Sequence, residues 1–98
     1  MRRRIYLRPE TEEEIGEAVA WYRERGPGLG VAFLDEVPSA MEALAVAPDR
    51  YPIVEGEIRK AVLRRFPHVI LFRSTDEETV VIACFHTRRT PGEWRRRV

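Results

Sequence analysis

Hydrophobic and polar positions along the chain change their period part-way through. In RRIYLR, Ile5 and Leu7 fall on one side and Arg4, Tyr6 and Arg8 on the other, as in a half-buried strand, and Pro9 ends it. A helix can begin at Pro9, because proline is tolerated in a first turn and Glu10, Glu12, Glu13 and Glu14 suit the positive helix end. Thr11 and Glu14 have the spacing of a capping box. Ile15, Ala18, Val19 and Tyr22 then make one apolar helical stripe. RGPGLG breaks it, and Phe33, Leu34, Val37, Met41 and Leu44 trace a second stripe up to APDRYP. Pro38 stands inside that second stripe, where it removes a backbone donor, so a kink or a helix in two pieces is predicted there.

After Gly56 the period is that of strands. IRKAVLRRF places Ile58, Lys60, Val62 and Arg64 on one side and Arg59, Ala61, Leu63 and Arg65 on the other, while HVILFRS and TVVIACFH are rich in β-branched and aromatic residues. STDEE reads as the link of an antiparallel hairpin, and a third strand precedes it through the turn at Pro67. The predicted order is β-α-α-β-β-β, an α+β fold. Its antiparallel sheet carries two helices on one face and leaves the other face open to solvent or a partner.

With 98 residues and 44% hydrophobic content, the chain is sized for a single domain over 1–98 with one modest core. The basic start runs straight into acids without the apolar stretch of a signal peptide, and no run reaches membrane-spanning length, so a cytoplasmic protein is expected. Cys84, in VVIACF, has no second cysteine to pair with and suits a small core position. The net charge of +1 hides a segregation: +4 over residues 1–8, −9 over 9–57 and +6 over 58–98. A cationic half suits an anionic partner, phosphate or an acidic protein segment; the plain alternative is two solvated faces of opposite sign.

The stretches AVAWYRERGPGLGVAFLDEV, APDRYPIVEGEIRKAVLRRFPHVILFR and VVIACFHTRRTPGEW, in this order and spacing, resemble the RelE/ParE superfamily of bacterial toxins, the toxic halves of type II toxin–antitoxin pairs, and in particular ParE-like plasmid stabilisation proteins. The resemblance covers nearly the whole chain. It implies the same β-α-α-β-β-β layout, a cationic surface, and a cognate antitoxin whose extended acidic or amphipathic segment wraps the toxin in a hetero-oligomer. It leaves two targets, since some relatives cleave mRNA in the ribosomal A site and others poison DNA gyrase without nuclease activity.

The candidate chemistry follows from the basic residues. Arg59, Lys60, Arg64, Arg65, Arg73, Arg88 and Arg89 could cradle phosphate or carboxylate oxygens and form the target- or antitoxin-binding surface; on a solvated strand edge the same charges would only discourage edge pairing. Trp94, beyond Pro91-Gly92, could stack on a base, but docking against the domain to fasten the tail is the favoured role, with Arg95, Arg96 and Arg97 projecting as a mobile basic end. His86 and Arg88 would be catalytic only if the chain cuts RNA, a reaction that needs a base, an acid and cations around the phosphorane. RNA-cutting relatives place Tyr, His, Glu, Lys and Arg in their cleft. Here no tyrosine follows Tyr51 and Lys60 is the only lysine, while His68 beside Pro67 reads as structural. No phosphate loop, metal-ligand spacing or serine triad appears, so neither cofactor nor metal is expected. The expected activity is therefore ParE-like inhibition of DNA gyrase, held in check by the antitoxin. The alternatives are a RelE-like ribosome-dependent mRNA endoribonuclease, or a non-toxic degenerate relative kept as a binding module.

Overall fold

A computed structural model describes residues 3–88 and 91–97. Strand β1 (Arg4–Leu7) leads into helices α1 (Pro9–Arg25) and α2 (Leu29–Val46), and a 3-10 turn at Pro48–Arg50 precedes β2 (Ile53–Glu55), β3 (Ile58–Val62), β4 (His68–Ser74) and β5 (Glu78–His86). A second 3-10 segment, Pro91–Arg97, follows. The strands form one sheet in the order β1-β5-β4-β3-β2. The α+β class and the placing of both helices on one face are as the periodicity predicts. Two details of the sheet differ: β1 runs parallel to β5, which makes the sheet mixed, and β2 adds a fifth strand. β1 reaches β5 only after the whole helical layer has crossed over, which permits a parallel pairing. All three residues of β2 are exposed, so no alternation marked it.

The stripes of α1 and α2 bury Ile15, Val19, Tyr22, Phe33, Val37, Met41 and Leu44 against Ala61, Ile70, Phe72, Val81 and Cys84. The two helices approach closely at Gly30, where a Cβ would lie 3.1 Å from the Val19 carbonyl oxygen. Gly28 enters α2 with φ 77°, a left-handed conformation that favours glycine. α2 continues through Pro38 as one helix, so it is not divided; Pro38 lies on the exposed face, where the missing hydrogen bond falls toward water. The capping box is absent. The Thr11 hydroxyl instead donates to the Val81 carbonyl at 3.1 Å, and a Glu14 carboxylate oxygen accepts from the Cys84 amide at 3.1 Å. Both residues thus tie α1 to β5.

The opposite sheet face is not open, contrary to expectation. Ile58, Val69, Leu71, Ile82 and Ala83 are covered there by Trp94, which is 4% exposed. A bulge supplies part of this surface: Phe72 pairs with Val81 but Leu71 with Ala83, and the extra residue, Ile82, packs outward beside Ala83. Nor does the basic tail project as a whole. Arg97 makes a bidentate pair with Glu14, at 2.8 and 3.1 Å, and Arg95 meets Glu55 at 3.1 Å. Replacing Trp94 by Ala should cost about 3–5 kcal/mol, the scale of emptying a buried aromatic site. A shift of the denaturant midpoint by less than about 1 kcal/mol equivalent would show that the C-terminal segment is not part of the folded core.

Candidate functional site

The site is built where β1 stops. β1 accompanies β5 only as far as the Leu7–Val81 pair, so the rest of that edge of β5 has no neighbouring strand among the described residues. Glu14 and Arg97 take its place at the first positions: Glu14 holds the Cys84 amide and Arg97 donates to the Ile82 carbonyl at 3.1 Å. Arg8 adds a bond to the Arg97 carbonyl. The two ionic side chains are 15% and 14% exposed, so their charges are largely withdrawn from water and depend on each other. Past this clasp, α1 and the end of β5 diverge and enclose an open groove of about 440 Å³, with Trp21, Tyr22, His68, His86, Glu17 and Arg88 among its lining residues.

Ring packing fixes its floor. The register places His68, the first residue of β4, opposite His86, the last of β5, and their ring centroids are 5.3 Å apart. His68 is buried between Tyr22 and Phe33, with Tyr22 Oη 3.5 Å from its Nδ1. Burial, and secondarily the neighbouring His86 charge, lowers the His68 pKa to about 4, so its ring is neutral at physiological pH. Burial raises the Tyr22 pKa, and burial together with the Glu14 carboxylate pushes the Cys84 thiol up to about 12, far from thiolate reactivity. His86 Nδ1 accepts the Arg88 amide at 3.0 Å, which leaves the neutral ring's proton on Nε2.

The cations named from the sequence do not converge on this groove. Arg88 lines it, whereas Arg59 turns to the Tyr51 carbonyl at 2.6 Å. Lys60 is half-buried on the face of β3 away from the helices, and Arg73 is exposed on the same face of β4. Arg64 and Arg65 are not on a strand, because β3 ends at Val62. Their amides instead donate to the Glu36 carboxylate on α2, which Arg65 also meets through its guanidinium at 3.3 Å. Trp94 is docked, not presented, and Arg89 lies outside the described residues. Among the described residues no group of His, Cys, Asp and Glu could hold a metal ion, and no helix is long and apolar enough to cross a membrane. The groove residues that sequence reasoning passed over are Glu14, Glu17, Trp21, Tyr22 and His68. Tyr22 read as stripe and His68 as turn; they meet only in the fold, where the His68–His86 pairing brings the second imidazole beside them.

A five-stranded sheet with an α-helical hairpin on one face and a cationic end folded back on the other defines a small α+β module. The family model for the ParE toxin of type II toxin–antitoxin systems, parDE, matches residues 5–91, and the chain belongs to that family. Among solved structures, the chromosomal ParDE toxin–antitoxin system from P. aeruginosa contains a similar chain, with a TM-score of 0.74 at 14% identity over 86% of this chain and 95% of that one. No curated protein sequence matches.

Two predictions follow from the groove and its clasp. His68 has a folded-state pKa below its usual 6.5, so stability should fall as pH drops from about 6.5 to about 4 and level off below. A His68→Phe variant should lose that slope in a series of thermal melts; an unchanged slope would assign acid sensitivity to other groups. Glu14→Ala alone should destabilise by about 3–5 kcal/mol, because it leaves Arg97 unpaired. In a double-mutant cycle, Glu14→Met with Arg97→Met should cost less than the two single changes together. Simple additivity would mean that the pair is not coupled.

Proposed function

We propose that residues 1–98 act in the cytoplasm as one toxin domain that inhibits DNA gyrase by binding it, and that a cognate antitoxin neutralises the chain in a hetero-oligomer. Membership of the ParE family supports the toxin reading. The observation that carries binding over RNA cutting is the scatter of the cations: of the described ones, only Arg88 shares the groove with His86, while Arg59, Arg64, Arg65 and Arg73 lie elsewhere. A phosphorane would meet one guanidinium, and the nearby tyrosine hydroxyl, Tyr22, is buried beside His68. The target surface is instead assigned to Lys60, Arg64, Arg73 and Arg88, while the guanidinium groups of Arg59 and Arg65 bond within their own fold.

A ribosome-dependent endoribonuclease is the second reading. Its support is the meeting of Glu17, Tyr22, His86 and Arg88 in one groove. The two mechanisms separate in paired assays with purified protein, one of gyrase supercoiling and one of mRNA cleavage on programmed ribosomes. Gyrase inhibition should survive His86→Ala and weaken by about 1–3 kcal/mol of affinity in Arg88→Ala, through lost charge-assisted hydrogen bonds. Codon-dependent mRNA cleavage that drops about 10²–10⁴-fold in His86→Ala, with supercoiling untouched, would overturn the gyrase assignment. Normal growth on expression without antitoxin would favour a non-toxic binding module.

A further inference from the structure

We propose that the outer face of the sheet binds single-stranded nucleic acid, with an unpaired base stacked on Tyr6 and the neighbouring phosphates held by Arg4, Arg73 and Lys60. The site shares Lys60 and Arg73 with the target surface assigned above, rests on that reading for nothing else, and adds to it a ligand chemistry.

Strand alternation builds the site. Ile5 and Leu7 turn toward the helices and pack on the main core, so Arg4 and Tyr6 turn to the outer face. The register sets Tyr6 beside Val80 and Val80 opposite Arg73, and Val80 packs on the outer cluster. Tyr6 and Arg73 therefore flank one strand and stand about 10 Å apart, two strand spacings. Lys60 pairs with Leu71, which makes it the diagonal neighbour of Arg73 on β3. Trp94 covers the face around Val69 and Leu71 but leaves this corner open: Tyr6 is 46% exposed, and Arg4 and Arg73 are exposed beside it.

Charge and ring together select the ligand. Arg3 donates to the Thr75 and Ala45 carbonyls, Arg59 to Tyr51, and Arg65 and Arg97 pair with acids. By contrast, the side chains of Arg4, Lys60, Arg73 and Arg96 engage no acceptor among the described residues, and Arg96 is exposed on the segment lying on this same face. Exposed acids stand on the other layer, at Glu10, Glu13 and Glu17 of α1 and Asp35 and Glu42 of α2. A polyanion is thus drawn to the sheet and repelled by the helices. Glu78 beside Arg4, and the exposed Asp76 and Glu77, close the patch at the β4–β5 turn, so the strand lies across β1, β5, β4 and β3. The Tyr6 ring has neither a ring contact nor a hydrogen bond among the described residues. An open aromatic face between cations is a stacking platform for any unpaired base, and a base inside a duplex cannot reach it. An acidic peptide would use the cations and leave the ring idle.

The test is fluorescence anisotropy of the purified full-length chain with labelled oligo(dT) and oligo(rU) of about 20 nucleotides in about 50 mM salt. Affinity should fall with salt at a log–log slope of about −2 to −3, three or four phosphate contacts at about 0.7 each. Tyr6→Ala should weaken binding about tenfold with the slope unchanged, because it removes stacking and no charge. Tyr6→Phe should bind as the wild type does. Arg73→Ala should reduce the slope by about one, because it removes a phosphate contact. Glu13→Gln, on the helical layer, should change nothing. Tighter binding of one oligonucleotide names DNA or RNA as the ligand. If Tyr6→Ala fails to fold, the Arg73→Ala slope and competition by duplex decide the matter. No saturable binding of either oligonucleotide would overturn the site, as would equal competition by a duplex and by polyglutamate. So would a loss confined to Arg88→Ala, which would move the strand to the groove. Gyrase inhibition is scored on the same samples: its absence with the site intact removes the gyrase reading alone, and its presence without oligonucleotide binding removes the site alone.

Discussion

The pairing of Glu14 with Arg97 joins the first helix, the edge of β5 and the C-terminal segment at one point. One carboxylate on α1 and one guanidinium at the end of the C-terminal segment meet at the point where β1 leaves β5, and together they occupy the Ile82 carbonyl and the Cys84 amide. Helical layer, sheet edge and outer segment therefore share one ionic contact. Without it the edge of β5 would expose unpaired backbone groups next to the core, and Trp94 would lose the anchor at the far end of its 3-10 segment. The groove begins where this clasp ends.

The same contact changes the meaning of the charge segregation. Three ion pairs, Glu14–Arg97, Glu55–Arg95 and Glu36–Arg65, each join the acidic middle of the chain to its basic final part. Much of the opposed charge is thus used inside the fold as complementarity between layers. The exposed pairs contribute little singly, but all three link elements distant in sequence. The exposed side chains of Arg64, Arg73 and Arg88 meet no carboxylate among the described residues.

Periodicity carried the architecture a long way. Both helical stripes bury the residues that their spacing selects except Leu34, which is 51% exposed on the outer side of α2, and the β4–β5 hairpin forms across STDEE. What escaped depends on long-range geometry. The parallel pairing of β1 has no local signature, and the end of β3 at Val62 is set by Glu36, 28 residues away from Arg64. The groove shows the limit most clearly. Near the turn, Ser74 pairs with Thr79, and an unbroken ladder counted from there would set His68 against Phe85; the bulge at Ile82 shifts the register by one and brings His86 opposite instead. One inserted residue decides whether two imidazoles meet.

Strand order also bears on how the chain is made. β5 lies between β1 and β4, so the first strand finds its partner only in the last one. Such non-local closure is slow compared with the local helical contacts. Until β5 is in place β1 has no strand to pair with, whereas the α1–α2 hairpin can already pack together. The fold therefore closes last at the seam between β1 and β5, which joins the strand before the helical hairpin to the strand that also pairs with β4.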